Sequence, residues 1–272
     1  MKPIAVLSGD KRQYYIAEYL NKNGYNAYIK ANFDFNDSDY IVCSTPLCKN
    51  KDYLNCDFYS SFPMATFINL LTNQTVFGGN IPEKFVYKSG GTFVDVLKSS
   101  NLVWENGILT AEGLIKDIIE HTDFSIEHSN IFIIGFGNCG INIAKKLNAL
   151  GGNITIYDHT KKHLDQAMAF GYDAIPYQEI IHMVEKFDII INTVPSQELK
   201  QVHYKKISKN CVLFEIASAP YGLSKSLADK FHLSLFTCPG IPGKYSPKNA
   251  GELIAKFIIS YLERTEINGS WL

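Results

Sequence analysis

The sequence has no C-x-x-C pair, no massed basic segment, no long apolar run, no internal repeat and no low-complexity tract. Each absence removes a class of protein. The six cysteines (Cys43, Cys48, Cys56, Cys139, Cys211 and Cys238) fit no standard metal-ligand or iron–sulfur spacing. They read as reduced thiols acting as small apolar groups, and no metal site is expected. Lys and Arg number 26 against 27 Asp and Glu, and they are scattered. Holding nucleic acid by its phosphates takes a clustered basic face, so no nucleic-acid partner is expected. The N-terminal apolar run, residues 3–7, is too short for a signal-peptide core or a membrane span. That predicts a cytoplasmic protein with no membrane partner.

What is present is core-forming material: 46% of the 272 residues are hydrophobic and 19% charged. The length suits two small domains. Residues 4–7 read as strand and 8–10 as turn, with Ile16, Ala17 and Leu20 marking a helix face that ends before Gly24. Residues 27–29 and 40–43 suggest two more strands. Together these give a small open α/β domain over 1–108, in which the stretch from Pro46 to Pro82 shows no clear period. Thr110 is placed to cap a helix carrying Ala111, Leu114, Ile115, Ile118 and Ile119 on one face. Strands at 131–134, 154–157, 188–192, 212–217 and 233–237 then alternate with helices such as 143–150 and 163–170. That alternation predicts a Rossmann fold, a doubly wound parallel sheet, over 109–245. A last helix within 246–272, from Pro247 to about Arg264, carries an apolar stripe from Ala250 to Leu262. It is expected to pack back across the domain junction.

Gly135-Phe136-Gly137-Asn138-Cys139-Gly140 directly follows a buried strand and opens a helix, and Asp158 lies eighteen residues past Gly140. In that context G-x-G-x-x-G is a dinucleotide-binding fingerprint. Gly135 permits the tight turn, Gly137 lets backbone approach a pyrophosphate, and Gly140 lets helix and strand pack closely. Asn138 and Cys139 begin the helix, whose unpaired N–H groups and positive dipole end suit an anion. Asp158 can accept from both ribose hydroxyls of NAD and repels the 2′-phosphate of NADP. It could equally cap the following helix, and Lys161 and Lys162 could attract that phosphate. The expected cofactor is NAD or NADP, with Asp158 favouring NAD. Asn192-Thr193-Val194-Pro195-Ser196 leaves the carboxyl end of a strand, where ligands of doubly wound sheets sit. Thr193, Val194 and Pro195 are therefore expected on the nicotinamide side, a plain strand-to-helix turn being the other reading.

Cys238-Pro239-Gly240-Ile241-Pro242-Gly243 holds two Pro-Gly pairs and reads as a stiff loop that brings bare backbone at Pro239 and Gly240 to the cleft. Ser246 is a good cap and Pro247 a good first helical residue, which puts Lys248 in a first turn, against the dipole. That placement makes sense if an anion binds there; a solvated lysine is the alternative. Across the expected cleft, Asp10, Lys11 and Arg12 occupy the first turn of the N-terminal domain. Arg12 could grip a carboxylate in bidentate fashion or be a surface arginine. His121, near Glu120 and Asp123, could exchange protons near neutral pH or simply sit well at a helix C-terminus.

These pieces resemble the A subunit of bacterial dipicolinate synthase. The similar segments are Ser8-Gly9-Asp10-Lys11-Arg12-Gln13, Ala111-Glu112-Gly113, His121-Thr122-Asp123-Phe124-Ser125-Ile126, the glycine fingerprint, Asn192-Thr193-Val194-Pro195-Ser196, and Pro239-Gly240-Ile241-Pro242-Gly243 through Pro247-Lys248-Asn249-Ala250-Gly251. The match is continuous through the Rossmann half; before it, the match is clear only at the first turn and over residues 40–45. The resemblance implies oxidation of a dihydrodipicolinate-type cyclic dicarboxylate from the lysine pathway to dipicolinate, with a nicotinamide taking the hydride. It also implies a flavoprotein-like B subunit as partner and expression in the mother cell during sporulation; self-association is left open. On the same grounds Asp10, Arg12, Thr45 and Lys248 are expected to meet the dicarboxylate, with Lys248 and His121 as candidate catalytic groups. Two positions depart from the resembled proteins. Asp158-His159 replaces a small residue followed by Arg, the pattern that suits NADP, and Ala219 replaces an Arg. Alternatives are another nicotinamide dehydrogenase of the alanine or shikimate dehydrogenase kind, or a non-catalytic, cofactor-sensing subunit.

Overall fold

Apolar runs of three to five residues, spaced by helices, become most of the strands of two separate parallel sheets. In chain order the elements are β1 (Ile4–Leu7), α1 (Arg12–Lys22), β2 (Ala27–Lys30), β3 (Tyr40–Val42), β4 (Cys48–Lys49), β5 (Tyr53–Leu54), α2 (Met64–Asn69), β6 (Thr75–Gly78), α3 (Glu83–Val86), β7 (Thr92–Asp95) and α4 (Ser100–His121). They continue with β8 (Asn130–Ile134), α5 (Asn138–Ala149), β9 (Asn153–Tyr157), α6 (Lys161–Ala169), β10 (Asp173–Ala174), α7 (Tyr177–Met183) and β11 (Ile189–Asn192). The last are α8 (Gln201–Tyr204), β12 (Val212–Glu215), α9 (Lys225–Lys230), β13 (Ser234–Thr237), α10 (Ile241–Tyr245) and α11 (Pro247–Gly269). This computed structural model describes residues 3–50, 52–86 and 90–269. The chain divides into two units, Met1–Asn106 with Ser246–Leu272, and Gly107–Tyr245, so the division falls inside α4.

The first unit holds a five-stranded parallel sheet in the order β2-β1-β3-β6-β7, plus the short β4–β5 hairpin. Alternation along each strand sends side chains to two faces. Ile4, Val6, Val42 and Phe77 pack with Ile16, Ala17 and Leu20 of α1 and with Ile254, Ala255, Ile258 and Leu262 of α11. Ala5, Leu7, Ile41 and Val76 pack with Met64, Phe67 and Ile68 of α2. The aperiodic stretch from Pro46 to Pro82 contains the hairpin, α2 and β6, elements too short to show a period.

The second unit holds a six-stranded, all-parallel sheet in the order β10-β9-β8-β11-β12-β13, the order of a doubly wound Rossmann sheet. Ile131, Ile133, Ile154, Ile156, Ile189 and Ile191 face α4, α5 and α6, while Phe132, Ile134, Tyr157, Ile190 and Leu213 face α7, α8 and α9. Both faces are covered, which is why these strands read as unbroken apolar runs. Two local expectations are corrected. Thr110 is interior to α4, because the helix starts ten residues earlier, where Ser99 Oγ accepts from Leu102 N at 3.4 Å. Residues Ile241–Tyr245 form a helical turn rather than continuing the Pro-Gly loop: Lys244 N donates to Gly240 O at 3.1 Å, and Pro242 lies in the first turn, where it gives up no helical hydrogen bond.

Candidate functional site

Gly135 leaves β8 with φ +96, and its N–H donates to Tyr157 O at 2.8 Å. A side chain there would also strike Thr193 Oγ1 at 2.3 Å and Val194 Cγ1 at 2.6 Å. Gly140, one turn into α5, would place a Cβ 2.0 Å from Gly135 O. Both positions are therefore glycine for reasons internal to the fold. Gly137 is different: it is exposed, has φ −80 as the N-cap of α5, and a Cβ on it would meet nothing within 4 Å. No local contact needs a glycine there. Its bare backbone opens a cradle before the first N–H groups of α5, the shape and polarity a diphosphate requires.

The loop after β11 is anchored beside that turn. Thr193 N and Oγ1 both donate to Ile134 O at 2.9 Å, so Thr193 and Val194 lie against Gly135. Behind the loop is a network that composition and motif do not show. Register pairs Asn192 with Glu215, both 1% exposed. The Glu215 carboxylate accepts from Asn192 Nδ2 (2.8 and 2.9 Å), Ala217 N (2.9 Å), Gly222 N (2.9 Å) and Leu223 N (2.6 Å). Burial pushes the Glu215 carboxyl above its ordinary value, and those donors pull against it. Ala219 and Pro220 lie in the loop so held. The one sequence signal for this brace is an acid closing an otherwise apolar strand. Pro239 and Gly240 follow β13, Gly240 with φ +65 and open space around its Cα.

Asp158, the first residue past β9, is 5% exposed. Its Oδ2 accepts from Phe136 N at 2.8 Å and its Oδ1 from Thr160 N at 2.8 Å, while His163 Nδ1 stands 3.0 Å from Oδ2. Burial would raise its pKa, but these donors outweigh it and hold the carboxyl below the ordinary aspartate value. His159 points outward, its Nδ1 3.6 Å from Asp158 Oδ1, and Lys161 and Lys162 are exposed. The thiol of Cys139 is raised by burial and stays protonated; all six cysteines are free.

In the first unit the structure brings Asp10, Arg12 and Thr45 together. Arg12 is 8% exposed, and its bidentate partner is Asp10: Nε donates to Oδ1 at 2.9 Å and Nη2 to Oδ2 at 2.5 Å. Nη2 also donates to Thr45 O at 2.5 Å, and Asp10 Oδ1 accepts from Arg12 N at 2.9 Å. The fork expected to face outward is turned onto a neighbour two residues away, because Asp10 sits in the turn that starts α1. Among the described residues, Nη1 alone of the guanidinium nitrogens has no partner. A Cβ at Gly251 would lie 2.7 Å from Arg12 O, so the first turns of α11 and α1 touch. Lys248 is exposed in that turn of α11, and the charge it bears on is Glu18.

His121 closes α4, its Nδ1 2.7 Å from Asp117 O and its ring 4.0 Å from that of Phe236. Ligand atoms of Asp117, Glu120 and His121 lie within 4.8 Å of one another. The two acids already have partners: Tyr245 donates to Asp117, Lys244 Nζ is 3.6 Å from it, and Lys116 pairs with Glu120.

A parallel sheet in this strand order, with an open glycine turn after its first strand, defines the second unit as a Rossmann-type, NAD-binding domain. Residues 130–233 match the family model for the NAD binding domain of 6-phosphogluconate dehydrogenase. Beyond that class, the chain is similar to the A subunit of dipicolinate synthase of Bacillus subtilis (strain 168), 27% identical over 288 residues that cover 95% of each protein. The solved dipicolinate synthase A subunit from Bacillus subtilis superposes with a TM-score of 0.86 at 24% identity, covering 98% of this chain and 97% of that one. The corresponding A subunit from Bacillus halodurans gives 0.84 at 22%, covering 96% and 97%. At those identities the structural likeness is one of fold. The NAD-binding domain and the similarity to these A subunits support the role of a nicotinamide-dependent oxidoreductase. Among the described residues no helix is long and apolar enough to cross a membrane.

Proposed function

We propose that this chain is the A subunit of a dipicolinate synthase, oxidising a dihydrodipicolinate-type cyclic dicarboxylate to dipicolinate with NAD or NADP. The observation that carries the reading is similarity to the Bacillus subtilis A subunit over 95% of the chain. Gly137, open where a diphosphate would sit, agrees with it. Its partner is a flavoprotein-like B subunit, and its setting is the cytoplasm of a sporulating mother cell.

Gly135, Gly137 and Gly140, with Asn138 and Cys139 at the start of α5, hold the pyrophosphate. Thr193, Val194, Pro195, Pro239 and Gly240 shape the nicotinamide side, and His159 lies toward the adenosine ribose. The coenzyme, when bound, supplies the hydride acceptor. Aromatising the ring removes one hydride and one proton. Arg12, fixed by Asp10 and Thr45 and with Nη1 to spare, and Lys248 bind the substrate carboxylates. His121, tied to Asp117 O, is given no step.

The test is to combine the purified chain with its B partner, a dihydrodipicolinate precursor and either coenzyme. The reading predicts growth of the pyridine-dicarboxylate absorbance. Coenzyme binding without that product would refute the substrate assignment and favour another dehydrogenase. Ala219, standing where the resembled proteins carry Arg, instead favours a non-catalytic, cofactor-sensing subunit; any turnover excludes it.

A further inference from the structure

An acid just past the second strand of a dinucleotide-binding unit is expected to read the ribose, and for that its lone pairs must face the ligand. Asp158 does not present them. A carboxylate offers about four lone-pair sites; here Phe136 N donates to Oδ2 and Thr160 N to Oδ1, each at 2.8 Å, His163 Nδ1 lies 3.0 Å from Oδ2 without hydrogen-bond geometry, and the side chain is 4% exposed. The register explains the inward turn. Ile134 pairs with Tyr157, so the residues just past them, Gly135 and Phe136 on one strand and Asp158 on the other, fall side by side. Phe136 is the middle of the Gly135-Phe136-Gly137 turn, and its ring is fully buried. Fixing its N–H fixes the backbone that aims the start of α5.

We propose that Asp158 is a positioning residue that braces the glycine turn, and that it does not select between NAD and NADP. This rests on the reading that the turn holds a nicotinamide dinucleotide. The carboxylate acts through Phe136 on the pyrophosphate, which both coenzymes share. Losing it therefore weakens both alike. The other titratable groups facing Asp158 are His159, His163 and the Tyr157 phenol.

Two measurements test this. Calorimetric titration of NAD and of NADP into the full chain and into Asp158→Asn should show both dissociation constants rising about tenfold or more, the loss expected for a charge-assisted hydrogen bond. Their ratio should stay the same. Selective loss of NAD, or a gain for NADP, overturns the proposal. The second measurement needs no coenzyme and no variant. In NMR spectra of the unliganded protein the amide protons of Phe136 and Thr160 should shift together on acidification, with one midpoint below the ordinary aspartate value of 3.8. Amides that ignore that titration overturn the brace whether or not coenzyme binds. A wild-type chain that binds neither coenzyme refutes the proposed function, and the amide titration still decides the brace.

Discussion

Asp10, Asp37 and Asp158 all titrate below the ordinary aspartate value of 3.8. Burial alone would raise Asp10 and Asp158; the Arg12 guanidinium reverses it for the first, and the Phe136 and Thr160 amides for the second. Asp37 is drawn down to about 2 by Lys30 and the Tyr28 hydroxyl. A carboxyl whose folded pKa is depressed stabilises the fold above its unfolded value and loses that contribution as pH falls through the folded one. The window therefore runs from about 3.8 down to about 2. Glu215, raised by burial, contributes in the opposite sense and sets a background. Urea midpoints should fall across that window, and Asp158→Asn should flatten the fall; an unchanged slope in the variant would contradict the assignment of its partners. At this scale the sequence showed where Asp158 and Arg12 lie but not which way they turn. That direction depends on register and on a two-residue turn, which no spacing encodes.

The β11 and β12 loops depend on one side chain. Four N–H groups converge on Glu215, and replacing it with Gln turns an amide donor toward them. With the new NH2 in the Oε1 place Ala217 N loses its acceptor, and in the Oε2 place Gly222 N and Leu223 N both do, at roughly 1–3 kcal/mol for each buried orphan. The expected result for Glu215→Gln, whose amide takes the less costly orientation, is a loss of about 1–3 kcal/mol by urea unfolding. A loss below about 1 kcal/mol would show that the network relaxes. Elements were legible where periodicity is long. Residues 131–134, 154–157 and 188–192 read correctly because a strand buried on both faces is an apolar run, and α11 because its stripe spans several turns. The failures were short or masked by better signals. Thr110 looked like a cap because threonine before an apolar stripe usually is one, while Ser99, eleven residues earlier, does the capping. The two-residue strands β4, β5 and β10 have no period to read.

At the scale of the molecule, the first unit is assembled from both ends of the sequence. Ile254, Ile258 and Leu262 of α11 are buried in the core of the β1-containing sheet. Three such side chains contribute roughly 5–9 kcal/mol at the usual 1.5–3 kcal/mol each, comparable to the whole stability of a small domain. A chain ending at Tyr245 should therefore lose the first unit. Circular dichroism should show part of the helix and strand signal gone, with the remaining transition belonging to Gly107–Tyr245. Loss of no more than the signal of α11 itself, with a single transition, would contradict that division. The parallel, doubly wound character of the second sheet was predictable from alternation; its strand order comes from the structure. The co-folding of the two termini was not, because it is a matter of which surface the stripe of α11 covers.

The most direct measurement compares Gly137→Ala with the wild-type chain in coenzyme titration, alongside thermal unfolding of each. Gly137 has φ −80 and no neighbour within 4 Å of a Cβ, so the alanine variant should unfold at the wild-type temperature. Wild type should bind a nicotinamide dinucleotide saturably, and the variant should bind it at least about tenfold more weakly, because the added methyl occupies the diphosphate's approach. Equal binding by both proteins, or none by a folded wild type, would contradict the assignment of the glycine turn.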